Sequence, residues 1–168
     1  MVDLRHLVLH FYTIGINTVG CFVPHRLRVS VTEKFPHLSD CILIDATVSD
    51  QVKRCSDHCG EHIDILRAAA GCKTFPVALY FLQSELAVLQ DMHDRDIPIN
   101  VVVFCYQGRH QSVSWCRLMK ECTLRGGHTA REPVHLAREN WPSHLCRHCE
   151  NCNLGHAEKQ EMVQDVVH

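Results

Sequence analysis

Residues 99–122 read INVVVFCYQGRHQSVSWCRLMKEC, and this stretch decides the fold. Ile99 to Phe104 is a continuous apolar run, the pattern of a strand buried on both faces. It gives way to Cys105, Tyr106, Gln107, Gly108, Arg109, His110 and Gln111, after which Ser112 opens a helical pattern. In that pattern Val113, Cys116 and Met119 fall three apart, as do Trp115 and Leu118. A strand, a short glycine-containing loop and a helix start together make an anion site. The first backbone N–H groups of a helix lack intrahelical acceptors, and the dipole adds partial positive charge there. Gly108 allows close backbone approach to a ligand, while Arg109 and His110 offer charged and neutral donors. The stretch is therefore expected to be a phosphate-binding loop.

Working outward, the chain alternates strand and helix patterns. Leu7 to Tyr12 is a first strand, running into a turn around Gly15. Residues 24–38 form a short helix that ends near Pro36, and Cys41 to Ile44 is a second buried strand closed by Asp45 and Thr47. Residues 60–70 are helical and stop at Gly71, and Phe75 to His93 is a long amphipathic helix with Pro76 in its first turn. Gly126-Gly127 breaks the chain before a last strand near 129–137. This order predicts an α/β class with a mainly parallel sheet and flanking helices. In such sheets ligands bind at the carboxyl ends of strands, so the loops after Tyr12, Ile44 and Phe104 converge on one pocket. The expected organisation is an α/β domain over 1–140 and a Cys/His-rich tail over 141–168.

Composition sets the outer limits. The 168 residues suffice for one domain with a real core, and 46% hydrophobic with 21% charged content is globular. A net charge of −2 argues against a protein whose main task is gripping nucleic acid through its phosphates. No signal pattern or membrane-length apolar run is evident, so a cytoplasmic location without membrane association is expected. In that reducing compartment the 11 cysteines are expected to be reduced or metal-bound rather than paired.

The loop also invites comparison with Cys-based phosphatases, whose signature is a Cys, five residues, an Arg, then Ser or Thr. Here Cys105 and Ser112 fit, but Gln111 stands where the phosphoryl-clamping arginine belongs. Phosphoryl transfer rests on such electrostatic clamping, so binding without turnover is the favoured expectation. The enzyme alternative keeps Cys105 as nucleophile, with Asp45 as acid.

With these residues in view, the chain resembles the C-terminal domain of the RapZ family over about residues 5–138. The family loop runs Cys-Thr-Gly-Gly-Lys/Gln-His-Arg-Ser-Val; here Cys105, Gly108, His110, Ser112 and Val113 match, and Arg109 keeps a long polar side chain. A family Phe-Asp-Val-Arg segment corresponds to Ile44-Asp45-Ala46-Thr47, and Leu-Arg-x-x-x-Gly to Leu66-Arg67-Ala68-Ala69-Ala70-Gly71. The resemblance implies a regulatory module that binds an amino-sugar phosphate such as glucosamine-6-phosphate, with RNA or a protein as a further partner. The ligand set it suggests is Cys105 to Ser112 with Asp45 and Arg67. Three positions depart from the family: Tyr106-Gln107, Gln111 and Thr47. Binding of RNA would need a continuous basic surface, for which Arg26, Arg28, Arg117, Lys120, Arg125 and Arg131 are the contributors.

The tail carries a separate signal. Residues 144–156, HLCRHCENCNLGH, place Cys146, Cys149 and Cys152 at two-residue gaps, with His156 four further on. Soft thiolate and imidazole donors in this spacing suit a structural Zn2+, which takes four such ligands. The expected set is Cys146, Cys149, Cys152 and His156, with His144, Cys55 or Cys59 as alternative fourth ligands. An iron–sulfur cluster is less suited, because no fourth cysteine follows at family spacing. Cys55, His58, Cys59 and His62 form a second candidate group, for which a capped loop before the 60–70 helix is the favoured account.

Overall fold

A computed structural model describes residues 6–21, 26–49, 57–92, 97–136, 138–142 and 146–168. Strand β1 (Val8–Gly15) leads through a 3-10 turn (Ile16–Val19) to α1 (Leu27–Lys34), and β2 (Ile42–Asp45) follows. Helices α2 (Ile63–Ala70) and α3 (Phe75–Met92) precede β3 (Ile99–Cys105), which feeds α4 (Gln111–Arg125). Two short strands, β4 (Thr129–Ala130) and β5 (Val134–His135), come before the closing helix α5 (His156–Val167).

The strands order β2-β3-β1-β4, with β5 also on β1, and every pairing is parallel. Register sets Leu9 beside Ile99, Gly15 beside Cys105 and Asp45 beside Phe104, so three strand ends finish level. This is the expected α/β class with a mainly parallel sheet. The expectation of one last strand near 129–137 becomes two bridges of two residues each, separated by 131–133. Pro133 within that gap has no N–H for a ladder.

Alternation along β3 explains why its sequence is apolar throughout. Val101, Val103 and Cys105 belong to one cluster with Leu66, Leu82, Trp115 and Met119, while Val102 and Phe104 join Leu27, Val31 and Leu38 on the other face. Helices α2 to α5 thus cover one side of the sheet and α1 the other. Trp115 is fully buried and meets Phe75 edge-on at 5.5 Å between ring centroids.

Helix α2 starts at Ile63, later than expected, because the His62 ring Nδ1 accepts the Asp64 N–H at 3.2 Å and acts as the cap. Gly71 follows it with φ −78°, in ordinary right-handed backbone, its N–H bonded to the Arg67 carbonyl. Among the described residues no single helix is long and apolar enough to cross a membrane. Helix α5 packs on α2 and α4 and sends Val163 into the main core. Its pattern of Met162, Val163, Val166 and Val167 is the apolar stripe of a short amphipathic helix, a signal present in the sequence but outweighed by the polar residues around it.

Candidate functional site

The loop after β3 is built by two glycine contacts. Gly108 has φ +68°, and a Cβ there would lie 2.5 Å from the Gly15 backbone nitrogen. The loop is therefore pressed onto the end of β1, where the Asn17 N–H also bonds the Tyr106 carbonyl at 3.2 Å. On the opposite side Gly60 donates its N–H to the Arg109 carbonyl at 2.7 Å. A Cβ on Gly60 would meet the His110 carbonyl at 2.2 Å and the Ser114 nitrogen at 2.7 Å. Gly60 thus packs against the start of α4.

This packing corrects the expected cradle. Cys105 is 1% exposed, and its Sγ accepts the Gly108 N–H at 3.2 Å and lies 3.2 Å from Ser112 Oγ. Ser112 and Gly108 are buried as well, so these groups are turned to each other. Gly108 packs closely on the end of β1. Asp45 is also engaged locally: its Oδ1 accepts the Thr47 N–H at 2.8 Å and the Thr47 hydroxyl at 2.6 Å. Arg67 stands on the exposed face of α2. Neither residue is among the lining of the two cavities described below.

Of the predicted residues, Gln107 and Arg109 face a pocket of about 550 Å3 on the outer side of the loop. Asn17, Thr18, Lys34, Trp141 and Pro142 also line it, and among the described residues its lining contains two cations and no carboxylate. Lys34 ends α1 and is fixed there by donating to the Thr18 carbonyl at 2.7 Å. Arg109 Nε and Trp141 Nε1 are buried and have no hydrogen-bond partner among the described residues. Tyr106 is exposed beside the pocket, His110 caps α4 behind it, and Gln111 is the first residue of that helix. Lys34, Asn17, Thr18 and Trp141 were not among the sequence candidates. They lie 32 to 92 residues from Arg109 along the chain, and only the sheet brings them beside the loop.

A second cavity of about 390 Å3 lies behind Trp141 and Pro142, lined among others by Glu61, Arg117, His135, Lys159 and three cysteines. Glu61 accepts from Arg117 Nε at 3.0 Å and Lys159 Nζ at 2.6 Å, with His135 Nε2 at 3.9 Å. Burial alone would raise its carboxyl; the nearby His135 ring and the Arg117 and Lys159 charges outweigh this and hold it well below the usual range. Glu132 pairs with Arg117 and Lys120 at the rim.

The cysteines at this cavity include one that the sequence offered only as an alternative. Cys59, Cys146 and Cys152 place their sulfurs within 4.8 Å of one another. His58, Cys149 and Cys152 form an overlapping group by the same measure. His156, expected as the fourth ligand, instead opens α5 and is largely exposed, with its Nε2 3.6 Å from Glu132. Helix formation from residue 156 carries its ring away from the thiols. His144 and Cys55 lie outside the described residues.

No protein-family model, curated protein or solved structure matches this chain.

Proposed function

We propose that the chain is a non-catalytic binding module that holds a phosphorylated small molecule in the pocket between the 16–19 turn and the 106–110 loop. The observation that carries this reading is the pocket wall itself. Among the described residues of that wall, Arg109 and Lys34 supply positive charge with no carboxylate to cancel it. The pocket sits at the carboxyl ends of β1 and β3, where parallel sheets bind ligands. Its volume accommodates a sugar phosphate. Asn17, Thr18 and Gln107 provide neutral donors and acceptors for hydroxyl groups, which is the lining an amino-sugar phosphate of the RapZ type would need.

The other readings find less support. A nucleophilic Cys105 would have to reach substrate, yet it is 1% exposed and its loop carries Gln111 in place of an arginine. For RNA, four of the six basic contributors are engaged: Arg117, Lys120 and Arg125 in ion pairs, and Arg28 with the Ser39 and Cys41 carbonyls.

Backbone amide and guanidinium NMR during titration with glucosamine-6-phosphate tests the reading. Saturable shifts confined to Asn17, Thr18, Gln107, Arg109 and the Trp141 indole N–H are expected. Shifts centred on Ser112 and Val113 would instead place the anion at the start of α4 and overturn the proposed pocket.

A further inference from the structure

We propose that a single soft divalent cation, Zn2+ by its ligand chemistry, joins the loop before α2 to the tail through Cys59, Cys146 and Cys152. The fourth ligand comes from the neighbouring pair Cys149 and His58. This site lies at the second cavity and differs from a local tail site in one respect: Cys59 lies 87 positions away from Cys146 along the chain.

Several observations converge on it. Three sulfurs within 4.8 Å of one another are close to the separation of about 3.8 Å that Zn–S bonds of 2.3 Å require in a tetrahedron. Cys152 belongs to both donor groups, so it sits where the two sets overlap. The backbone already carries the hydrogen bonds of a thiolate site: the Cys59 N–H donates to Cys146 Sγ at 3.0 Å, and the Cys146 N–H bonds the Asp57 carbonyl at 3.1 Å. Asn153 Nδ2 donates to the Cys146 and Cys149 carbonyls at 2.6 and 2.8 Å, tying the turn that presents the ligands.

Cys146 supplies a further sign. It has φ +60°, and among the described residues it is the one non-glycine in the left-handed region. Such a conformation costs about 1–3 kcal/mol and persists where the surroundings fix it. Metal ligation is a force of that kind, since ordering a polar segment such as 146–155 by burial is unavailable to it. Binding converts the ligating thiols to thiolates and releases their protons to solvent.

The test uses the reduced full chain, stripped with chelator and titrated with Co2+ and then with cadmium-113. We expect a thiolate-to-cobalt charge-transfer band and intense tetrahedral d–d bands that saturate at one equivalent, and that Zn2+ abolishes. Cys59→Ser should weaken binding by more than the about 10–100-fold that loss of an outer partner costs. His156→Ala should leave the titration unchanged. Because Cys59→Ser could also loosen its loop, through-bond cadmium–proton correlation on the wild-type chain names the ligands directly, and cross-peaks to the Cβ protons of Cys59, Cys146 and Cys152 are expected. A correlation to Cys146, Cys149 and Cys152 without Cys59 would overturn the proposal in favour of a local tail site. Absence of any thiolate charge-transfer band would overturn it outright.

Discussion

Gly108 has two structural reasons to be glycine. Its φ of +68° strains any L residue, and its missing Cβ leaves room for the β1 backbone. Gly108→Ala should therefore lower stability by at least about 1–3 kcal/mol, read as a shifted urea midpoint with an unchanged slope. An unchanged midpoint would mean that the loop does not rest on β1. Glu132 offers a test by pH. Burial would raise its carboxyl, but hydrogen bonds from Lys120 and Arg117 lower it below its ordinary value. A carboxyl depressed in the folded state stabilises the fold above its unfolded pKa, and that contribution is lost as pH falls through the folded value. Glu132→Gln should accordingly flatten the acid limb of a stability–pH profile while changing the neutral plateau in the destabilising direction. A parallel downward displacement at all pH values would contradict the assignment.

At the scale of elements, the 106–110 loop is held between two partners, the β1 end and the segment 57–62. The second is the same segment that presents Cys59 to the tail, with Gly60 bonded to Arg109 one residue along. If the metal fixes that segment, the chelator-treated chain should bind phosphate several-fold more weakly than the metal-loaded chain, by equilibrium dialysis. Equal affinities would show that β1 alone holds the loop. The strand–loop–helix over 99–125 was legible in sequence because its apolar run and helical spacing are local signals. Which side of the loop would face ligand was not legible. That depends on Gly60 covering the start of α4, a contact across about 50 residues that no period records. The thiol group shows the same limit: Cys146, Cys149 and Cys152 stand out by spacing, whereas Cys59 is brought to them only by folding. Helix α5 was obscured by its polar surroundings, and its first turn removes His156 from the site that spacing assigned to it.

At the scale of the whole molecule, the described residues form a parallel sheet with four helices on one face and one on the other, its three main strand ends level at one edge. Function is expected at that edge because backbone groups end there without ladder partners, and charge can be gathered around them. Lys34 from the thinly covered face and Arg109 from the loop meet there. Trp141 and Pro142, just beyond the sheet, form a wall shared with the second cavity. The tail therefore closes the pocket as well as the core, and Val163, 4% exposed, anchors its last helix. Val163→Asp, which would bury an unpaired charge, should cost about 3 kcal/mol or more and lower the melting temperature, checked by calorimetry. A change within error would mean that α5 does not dock on the core. The central claim concerns the acid-free pocket, and isothermal titration of glucosamine-6-phosphate into the wild-type chain and into Lys34→Ala/Arg109→Ala tests it most directly. The account predicts saturable binding by the wild type, weakened at least about tenfold in the variant by loss of charge-assisted hydrogen bonds. Equal binding by both chains, or none by the folded wild type, would contradict it.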